Sequence, residues 1–159
     1  AYEDRLYVLQ HGGPFFIQAF NLLGQHLFKW KLMNSTTEVY LGRALAIFNN
    51  YELVVADRTN KKFNISSLTG ELLRSIKCNE IGNGRISLCR ASGDSIIVTN
   101  YGAPHELYKY NLATRAVEWR SKAVVHPVDV MMLNEEYAVV TKQSSSVKFL
   151  ILKQATGQM

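Results

Sequence analysis

The chain has 159 residues, 47% of them hydrophobic and 11% aromatic, a composition that supports a buried core and argues against a disordered protein. A count of 18 basic and 13 acidic residues gives a formal charge of +5, which permits an anionic partner such as RNA without requiring one. No apolar run approaches the roughly 20 residues of a membrane-spanning helix, so we expect no membrane partner.

The first predicted unit begins with an apolar strand around Val8 and continues through alternating stretches at 15–20 and 26–30. A turn at Leu23-Gly24-Gln25 separates these two stretches. Short alternating segments that are rich in β-branched and aromatic residues and joined by polar turns are typical of hairpins. The unit therefore predicts three antiparallel strands.

The next three units repeat this order with an additional strand at the start of each. The second and third units have four predicted strands, and the fourth has three. The predicted strands of the second unit are 43–48, the strand around Val55, 62–65 and 72–76. Those of the third unit are 85–89, the strand around Val98, 106–110 and 117–120. Those of the fourth unit are 128–133, the strand around Val140 and 147–152. The second turns of the four units are centred on Gly24, Gly70, Arg115 and Gly157.

The four central valines are equivalent and recur at a spacing of about 43 residues, close to the roughly 40–45 residues of a propeller blade. We therefore predict an all-β fold, a β-propeller of three to four four-stranded antiparallel blades. It forms one partial domain over 1–159, with blades at about 5–33, 38–78, 82–122 and 126–159. A β-sandwich also has short strands at this density, but it would not explain the repeat.

The predicted strands number 3, 4, 4 and 3 in successive units. Propellers typically have about four to eight blades, and an open arrangement leaves unpaired strand edges that favour aggregation. We therefore expect that the chain is part of a longer protein, that it associates with itself, or that the remaining blades come from elsewhere.

The second unit resembles an NHL repeat over residues 53–76. Val55-Ala56-Asp57, Asn60-Lys61, Gly70 and Leu73-Arg74 match the pattern of that family in order, whereas the name-giving Asn-His-Leu triplet is absent. The resemblance implies a propeller without chemistry of its own that binds protein or RNA, in several cases within a TRIM-type ubiquitin ligase. This sequence carries no RING-type zinc cluster, so a ligase portion would lie elsewhere.

Tryptophan–aspartate repeats and quinoprotein-like repeats are the competing families. Their Gly-His and Trp-Asp dipeptides are missing, and no glycine–tryptophan docking motif is recognisable. We expect Trp30 and Trp119, near the ends of two final strands, to pack between neighbouring blades rather than to stack on a ligand.

Signals for catalysis are missing from the sequence. Cys78 and Cys89 fit no metal pattern, which would need three or four clustered ligands. We interpret them as free thiols of a reducing, cytoplasmic compartment, and a single disulfide is the alternative. No Gly-x-Ser-x-Gly motif and no phosphate-binding loop occur. We therefore expect no enzyme, no cofactor and no metal.

The predicted binding surface consists of the turns between the second and third strands of each unit, because a propeller places all of these turns on one face. Basic and aromatic side chains lie in or beside them, namely Arg58, Lys61, Lys62, Tyr101, His105 and Lys142. His11 lies in the equivalent turn of the first unit.

This surface supports two hypotheses. We predict a scaffold or adaptor that presents the turns to a protein partner. RNA binding is the alternative, because cations suit phosphates and rings suit unstacked bases. The competing structural interpretation is a solvated turn in which Asp57 and Asn60 only satisfy local backbone groups.

Overall fold

A computed structural model gives the fold. The structure describes residues 4–10, 16–31, 42–48, 51–102, 105–122, 124, 126–142, 148–153 and 155–158. Over these ranges the chain consists of strands and turns, and no helix there is long and apolar enough to cross a membrane. The chain divides into two compact units, Ala1–Lys77 and Cys78–Met159.

The first unit contains two antiparallel sheets. Sheet 1 consists of β1 (Arg5–Gln10), β2 (Phe16–Asn21) and β3 (His26–Lys31), in this spatial order. Sheet 2 consists of β4 (Gly42–Phe48), β5 (Glu52–Asp57), β6 (Lys62–Ser67) and β7 (Leu72–Lys77), also in sequential order.

The second unit is built in the same way. Sheet 3 consists of β8 (Arg85–Arg90), β9 (Ser95–Tyr101), β10 (Glu106–Asn111) and β11 (Ala116–Ser121), in sequential order. Sheet 4 consists of β12 (Pro127–Met132), β13 (Tyr137–Lys142) and β14 (Lys148–Lys153), also in sequential order.

The strand pattern predicted from the sequence is confirmed in the described residues, with 3, 4, 4 and 3 strands in successive sheets. The four valines occupy the same place in each register, with Val8, Val55, Val98 and Val140 opposite Gln18, Asn64, Tyr108 and Leu150. The second turns are equivalent too, because Gly24, Gly70, Arg115 and Gly157 all have positive φ angles, of 79°, 99°, 59° and 68°.

Each unit has its own core between its two sheets. In the first unit Ile17 of sheet 1 packs with Leu53 and Val55 of sheet 2. In the second unit the buried cluster includes Ile97 and Leu107 of sheet 3 and four residues of sheet 4, which are Val130, Ala138, Val140 and Leu152. Strands that contribute apolar side chains to both faces are typical of sheets that are buried on both sides.

Two tryptophans reach from one sheet to a turn of the next. A Cβ atom on Gly70 would lie 2.5 Å from Trp30 Cδ1, and one on Gly157 would lie 2.6 Å from Trp119 Cε3. Both distances are far below van der Waals contact, so only glycine fits under each indole. The packing role predicted for the tryptophans is confirmed. The glycine–tryptophan contact was not recognisable as a sequence motif, because the paired residues lie about one repeat apart and show no local spacing.

Candidate binding surface

The β5–β6 turn of the first unit is shaped by Asp57. Its carboxylate is buried and accepts hydrogen bonds from Asn60 N at 3.0 Å and from Asn60 Nδ2 at 2.8 Å. Asp57 and Asn60 therefore stabilise the turn through local hydrogen bonds. Lys61 follows with a positive φ of 52°.

Three of the predicted cationic residues lie in or directly after this turn. The side chains of Arg58, Lys61 and Lys62 are partly exposed. Lys62 Nζ lies 4.0 Å from Asp57 Oδ2, so the positive charge of Lys62 partly compensates the negative charge of this buried carboxylate. The turn therefore presents a basic surface of its own, in which Lys62 also has a structural role.

A second group of predicted residues meets in the other unit. The ring of Tyr101, at the end of β9, lies 5.6 Å from the ring of His105. His126 completes the group, with its ring centroid 5.6 Å from Tyr101 and 3.9 Å from His105. We call Tyr101, His105 and His126 the Tyr–His cluster.

The sequence analysis missed His126. It precedes β12, whereas His105 precedes β10, and no motif joins the two positions. His126 has a positive φ of 55°, which is uncommon for a residue other than glycine, and it directly precedes Pro127. Its unusual backbone conformation brings its ring against His105.

The backbone around the Tyr–His cluster is held by hydrogen bonds. Gly102 N donates to His105 Nδ1 at 3.1 Å. The buried side chain of Asn100 donates through Nδ2 to Glu80 O at 2.9 Å and accepts from Gly82 N at 3.2 Å. These bonds fix the end of β9 against the loop that precedes β8, so the rings are presented from an ordered support.

The chemistry of the cluster is that of a polar aromatic surface. The rings of Tyr101, His105 and His126 are partly exposed. His126 Nδ1 is buried and has no hydrogen-bond partner among the described residues. The described part of the chain contains no group of three or more His, Cys, Asp or Glu residues arranged to hold a metal ion.

The remaining predicted residues are only partly described. Lys142 ends β13, and its backbone lies opposite Pro127, next to His126 in the chain. Its side chain lies outside the described residues, as do His11, the 11–14 turn and residues 143–146.

An ion-pair network around the buried carboxylate of Glu106 lies within the second unit. Arg120 Nη1 contacts Glu106 Oε2 at 3.1 Å, and Arg120 Nη2 contacts Glu80 Oε2 at 2.6 Å. The hydrogen bond that Arg120 donates to Glu80 is the main cause that raises the pKa of Arg120. The guanidinium also lies 6.0 Å from the ring centroid of Tyr108, whose pKa is raised well above its usual range, chiefly by burial.

Both thiols are free and poorly suited to act as nucleophiles. Burial raises the pKa of Cys89 to about 12, and burial is also the main cause that raises the pKa of Cys78. Since the thiolate is the reactive form, neither cysteine is activated by its surroundings.

Comparison with known proteins identifies the architecture. The sequence matches no family model and no curated protein. A protein of unknown function from Bacteroides caccae is similar in structure, with a TM-score of 0.71 and 15% identity over 98% of this chain. BamB from Moraxella catarrhalis is similar with a TM-score of 0.58 and 12% identity over 99% of this chain, and U3-55K with 0.60 and 14% over 95%.

The chain has a β-propeller fold. The predicted fold class is thereby confirmed, whereas the likeness to NHL repeats stays a resemblance of sequence. This chain spans 61% of the length of the Bacteroides caccae chain and 49% of each of the other two.

Proposed function

We propose that this chain is a non-catalytic β-propeller module that binds a protein partner through the Tyr–His cluster. In this proposal it acts as a scaffold or adaptor of NHL-like type in the cytoplasm. The observation that carries the proposal is the grouping of Tyr101, His105 and His126, with ring centroids 3.9–5.6 Å apart, on an ordered support.

Two physical arguments favour a protein partner for this cluster. Tyrosine is enriched at protein interfaces because its ring buries apolar area while its hydroxyl remains able to form hydrogen bonds. The backbone bonds made by Gly102 and Asn100 reduce the ordering that binding would otherwise require. The partly exposed, preorganised rings are therefore suited to act as an anchor for binding.

A photo-cross-linking experiment tests this proposal. The photoreactive amino acid p-benzoylphenylalanine replaces Tyr101 in one sample and the 68% exposed Tyr51 in a control sample. We expect a discrete protein adduct at position 101 that is absent at position 51 and is lost when His126→Ala is added. Adducts of equal yield at both positions, or none at position 101, would reject the Tyr–His cluster as the binding site.

The basic β5–β6 turn is the specific observation that supports RNA as a second candidate. If this turn binds RNA, replacing Arg58, Lys61 and Lys62 with Ala weakens binding and flattens the slope of log affinity against log salt by roughly two units, since each phosphate contact contributes about 0.7. Titration of a labelled single-stranded RNA at several salt concentrations measures the slope.

The control for this titration is Lys29→Ala/Lys31→Ala, which removes two exposed cations of sheet 1. It should leave the slope unchanged. Should the parent protein bind no RNA, or should the triple variant bind as the parent does, RNA binding by this turn is rejected and the protein partner remains the proposal.

A further inference from the structure

Lys109 on β10 sets sheet 3 apart from the other three sheets. The register places Ala19, Ile65 and Ile151 at the same position in sheets 1, 2 and 4. Lys109 is only 7% exposed, so a charged group replaces an apolar one inside the fold. Burying a charge costs stability unless its partners compensate it, and natural proteins keep such departures from a pattern chiefly at functional sites. The position therefore indicates a role beyond folding.

The side chain of Lys109 connects the interior of sheet 3 to a surface turn. Its Nζ lies 2.9 Å from Glu118 Oε2 and donates to Ser92 Oγ at 3.3 Å. Glu118 also accepts hydrogen bonds from Ser95 Oγ at 2.8 Å and from Asn111 Nδ2 at 2.9 Å. The ion pair compensates the buried charge, and the bond to Ser92 holds the exposed β8–β9 turn against β10.

Ser92 lines a cavity of about 510 Å³ in the second unit, between the β8–β9 turn and the β12–β13 turn. This volume is within the roughly 300–1,000 Å³ of sites for small molecules. Ala91 and Met132 supply apolar surface to the cavity, and Arg90 and Asn134 supply polar groups. The buried lysine is thus anchored to the wall of a space that can hold a ligand.

Hydrogen bonds order both turns that form the cavity. In the β8–β9 turn Ala91 N donates to Ser95 O at 2.9 Å. In the β12–β13 turn Asn134 Oδ1 accepts from the backbone N of Glu136 and of Tyr137, each at 2.9 Å. Because Oδ1 is used in this way, Asn134 presents Nδ2 as its donor, and this group has no acceptor among the described residues. The walls are therefore ordered before a ligand binds, which reduces the cost of binding.

One cation and one anion lie on the wall of the cavity. Arg90 ends β8, and Glu135 lies in the β12–β13 turn. A guanidinium binds a carboxylate through charge-assisted hydrogen bonds, and a carboxylate binds an ammonium group in the same way. A molecule that matches both charges and the apolar surface of Ala91 and Met132 carries two opposite charges and an apolar part.

We propose that this cavity binds a short peptide whose amino and carboxyl ends are both free. Arg90 binds the carboxylate of the peptide, and Glu135 binds its ammonium group. Asn134 Nδ2 and the hydroxyl group of Ser92, which Lys109 positions, form hydrogen bonds with the peptide group. The apolar side chains of the peptide contact Met132.

The peptide site is independent of the function proposed for the Tyr–His cluster. The two lie at opposite ends of the β8–β9 hairpin, because Arg90 is paired with Ile96 at one end and Arg85 with Tyr101 at the other. A failure of one proposal therefore leaves the other standing.

Isothermal titration calorimetry with three related peptides tests the proposal. The purified 159-residue chain should bind dileucine, and it should bind N-acetyl-dileucine and dileucine amide about tenfold or more weakly, because each lacks one charge. Arg90→Gln should bind dileucine and its amide equally, since it has lost the group that recognises the carboxylate. Glu135→Gln should bind dileucine and its acetylated form equally, since it has lost the group that recognises the ammonium.

The matched control is Arg85→Gln, which removes an exposed cation at the other end of β8 and should bind all three peptides as the parent does. Lys109→Met/Glu118→Gln removes both charges of the buried pair together. It should weaken the binding of all three peptides while keeping their order, because Lys109 acts through Ser92 and not through either charged end. Far-UV circular dichroism checks that each variant is folded.

Three results would overturn parts of the proposal. A parent chain that binds none of the three peptides, or binds all three with equal affinity, excludes a site for a peptide with free ends. Variants of Arg90 and Glu135 that keep the preferences of the parent exclude the assigned contacts. A Lys109→Met/Glu118→Gln variant that is folded and binds as the parent does excludes the positioning role of Lys109.

Discussion

Trp30 covers Gly70 from the neighbouring sheet so closely that a Cβ atom on Gly70 would lie 2.5 Å from the indole Cδ1. Trp119 and Gly157 repeat this relationship in the second unit. Gly24, at the equivalent turn, has no atom within 4 Å of the corresponding position. Comparison of the three glycines therefore distinguishes two reasons for glycine at this turn: the positive φ angle and the lack of space for a Cβ atom.

Gly70→Ala should lower the free energy of unfolding more than Gly24→Ala does. Both substitutions place a side chain at a positive φ, which costs of order 1–3 kcal/mol. Only Gly70→Ala also forces the methyl group into Trp30, and overpacking of this kind adds about 1–3 kcal/mol. Urea unfolding of the two variants measures the difference, and equal losses of stability would contradict the docking role of the indole.

Arg120→Leu should destabilise the protein by about 3 kcal/mol, because it leaves the carboxylate of Glu106, which is 3% exposed, without its counter-charge. Arg74→Leu is the matched control. It breaks a 2.7 Å ion pair with Glu52 in which Arg74 is 44% exposed, and such exposed pairs contribute about 1 kcal/mol or less. Thermal unfolding of both variants provides the measurement. Similar shifts in Tm would show that the burial of Glu106 does not matter.

Glu118 should contribute to stability only above its titration range. Burial acts to raise its pKa, but hydrogen bonds from Asn111, Lys109 and Ser95 outweigh burial and hold the pKa below the ordinary value of 4.5. A pKa that is lower in the folded state than in the unfolded state gives stability that is present above the unfolded value and is lost as pH falls through the folded value.

The measurement for Glu118 is the free energy of unfolding of the parent and of Glu118→Gln across this range. The parent's advantage should be present at pH 7 and should be lost as the pH falls below the ordinary value of 4.5 and through the lower folded-state pKa. It should stay under about 1 kcal/mol, because the carboxylate is 34% exposed. A difference that grows towards acid pH would contradict the assignment.

Alkylation of the folded protein should be slow at both cysteines. With a pKa of about 12 instead of 9.0, the thiolate fraction of Cys89 at pH 8 is lower by about a thousandfold than in the unfolded chain. Iodoacetamide labelling followed by mass spectrometry, with and without denaturant, checks this expectation. Ala113→Cys, at an exposed turn position, is the control that should label at the unfolded rate. Rapid labelling of Cys89 in the folded state would show an activated thiol.

Much of the fold could be predicted because its signals are local. Alternating strands and polar turns repeat at one period, so the central valines and all four positive-φ turns could be aligned by position alone. Alignment of the repeats placed Arg115 at the same turn position as the three glycines, and Arg115 indeed adopts the left-handed conformation although it is not glycine.

The contacts between sheets could not be predicted in the same way. The Trp30–Gly70 pair and the His105–His126 pair join residues from different repeats, and a single sequence does not show which side chains meet across that separation. The one available signal was the recurrence of a tryptophan about one repeat before a turn glycine. Lys62 was predicted as a binding residue, and its contact with the buried Asp57 depends on a turn geometry that only the structure shows.

The tryptophan-on-glycine contact also bears on how such a chain can grow in evolution. Sheets 1 and 3 each give an indole, and sheets 2 and 4 each receive one at a glycine turn, so the contact joins the sheets in two pairs of unlike members. A tandem duplication of one such pair of repeats therefore carries its own tryptophan-on-glycine contact from the start. Natural selection can then alter the turns of the added copy for a new ligand while the inherited contacts between sheets keep it folded.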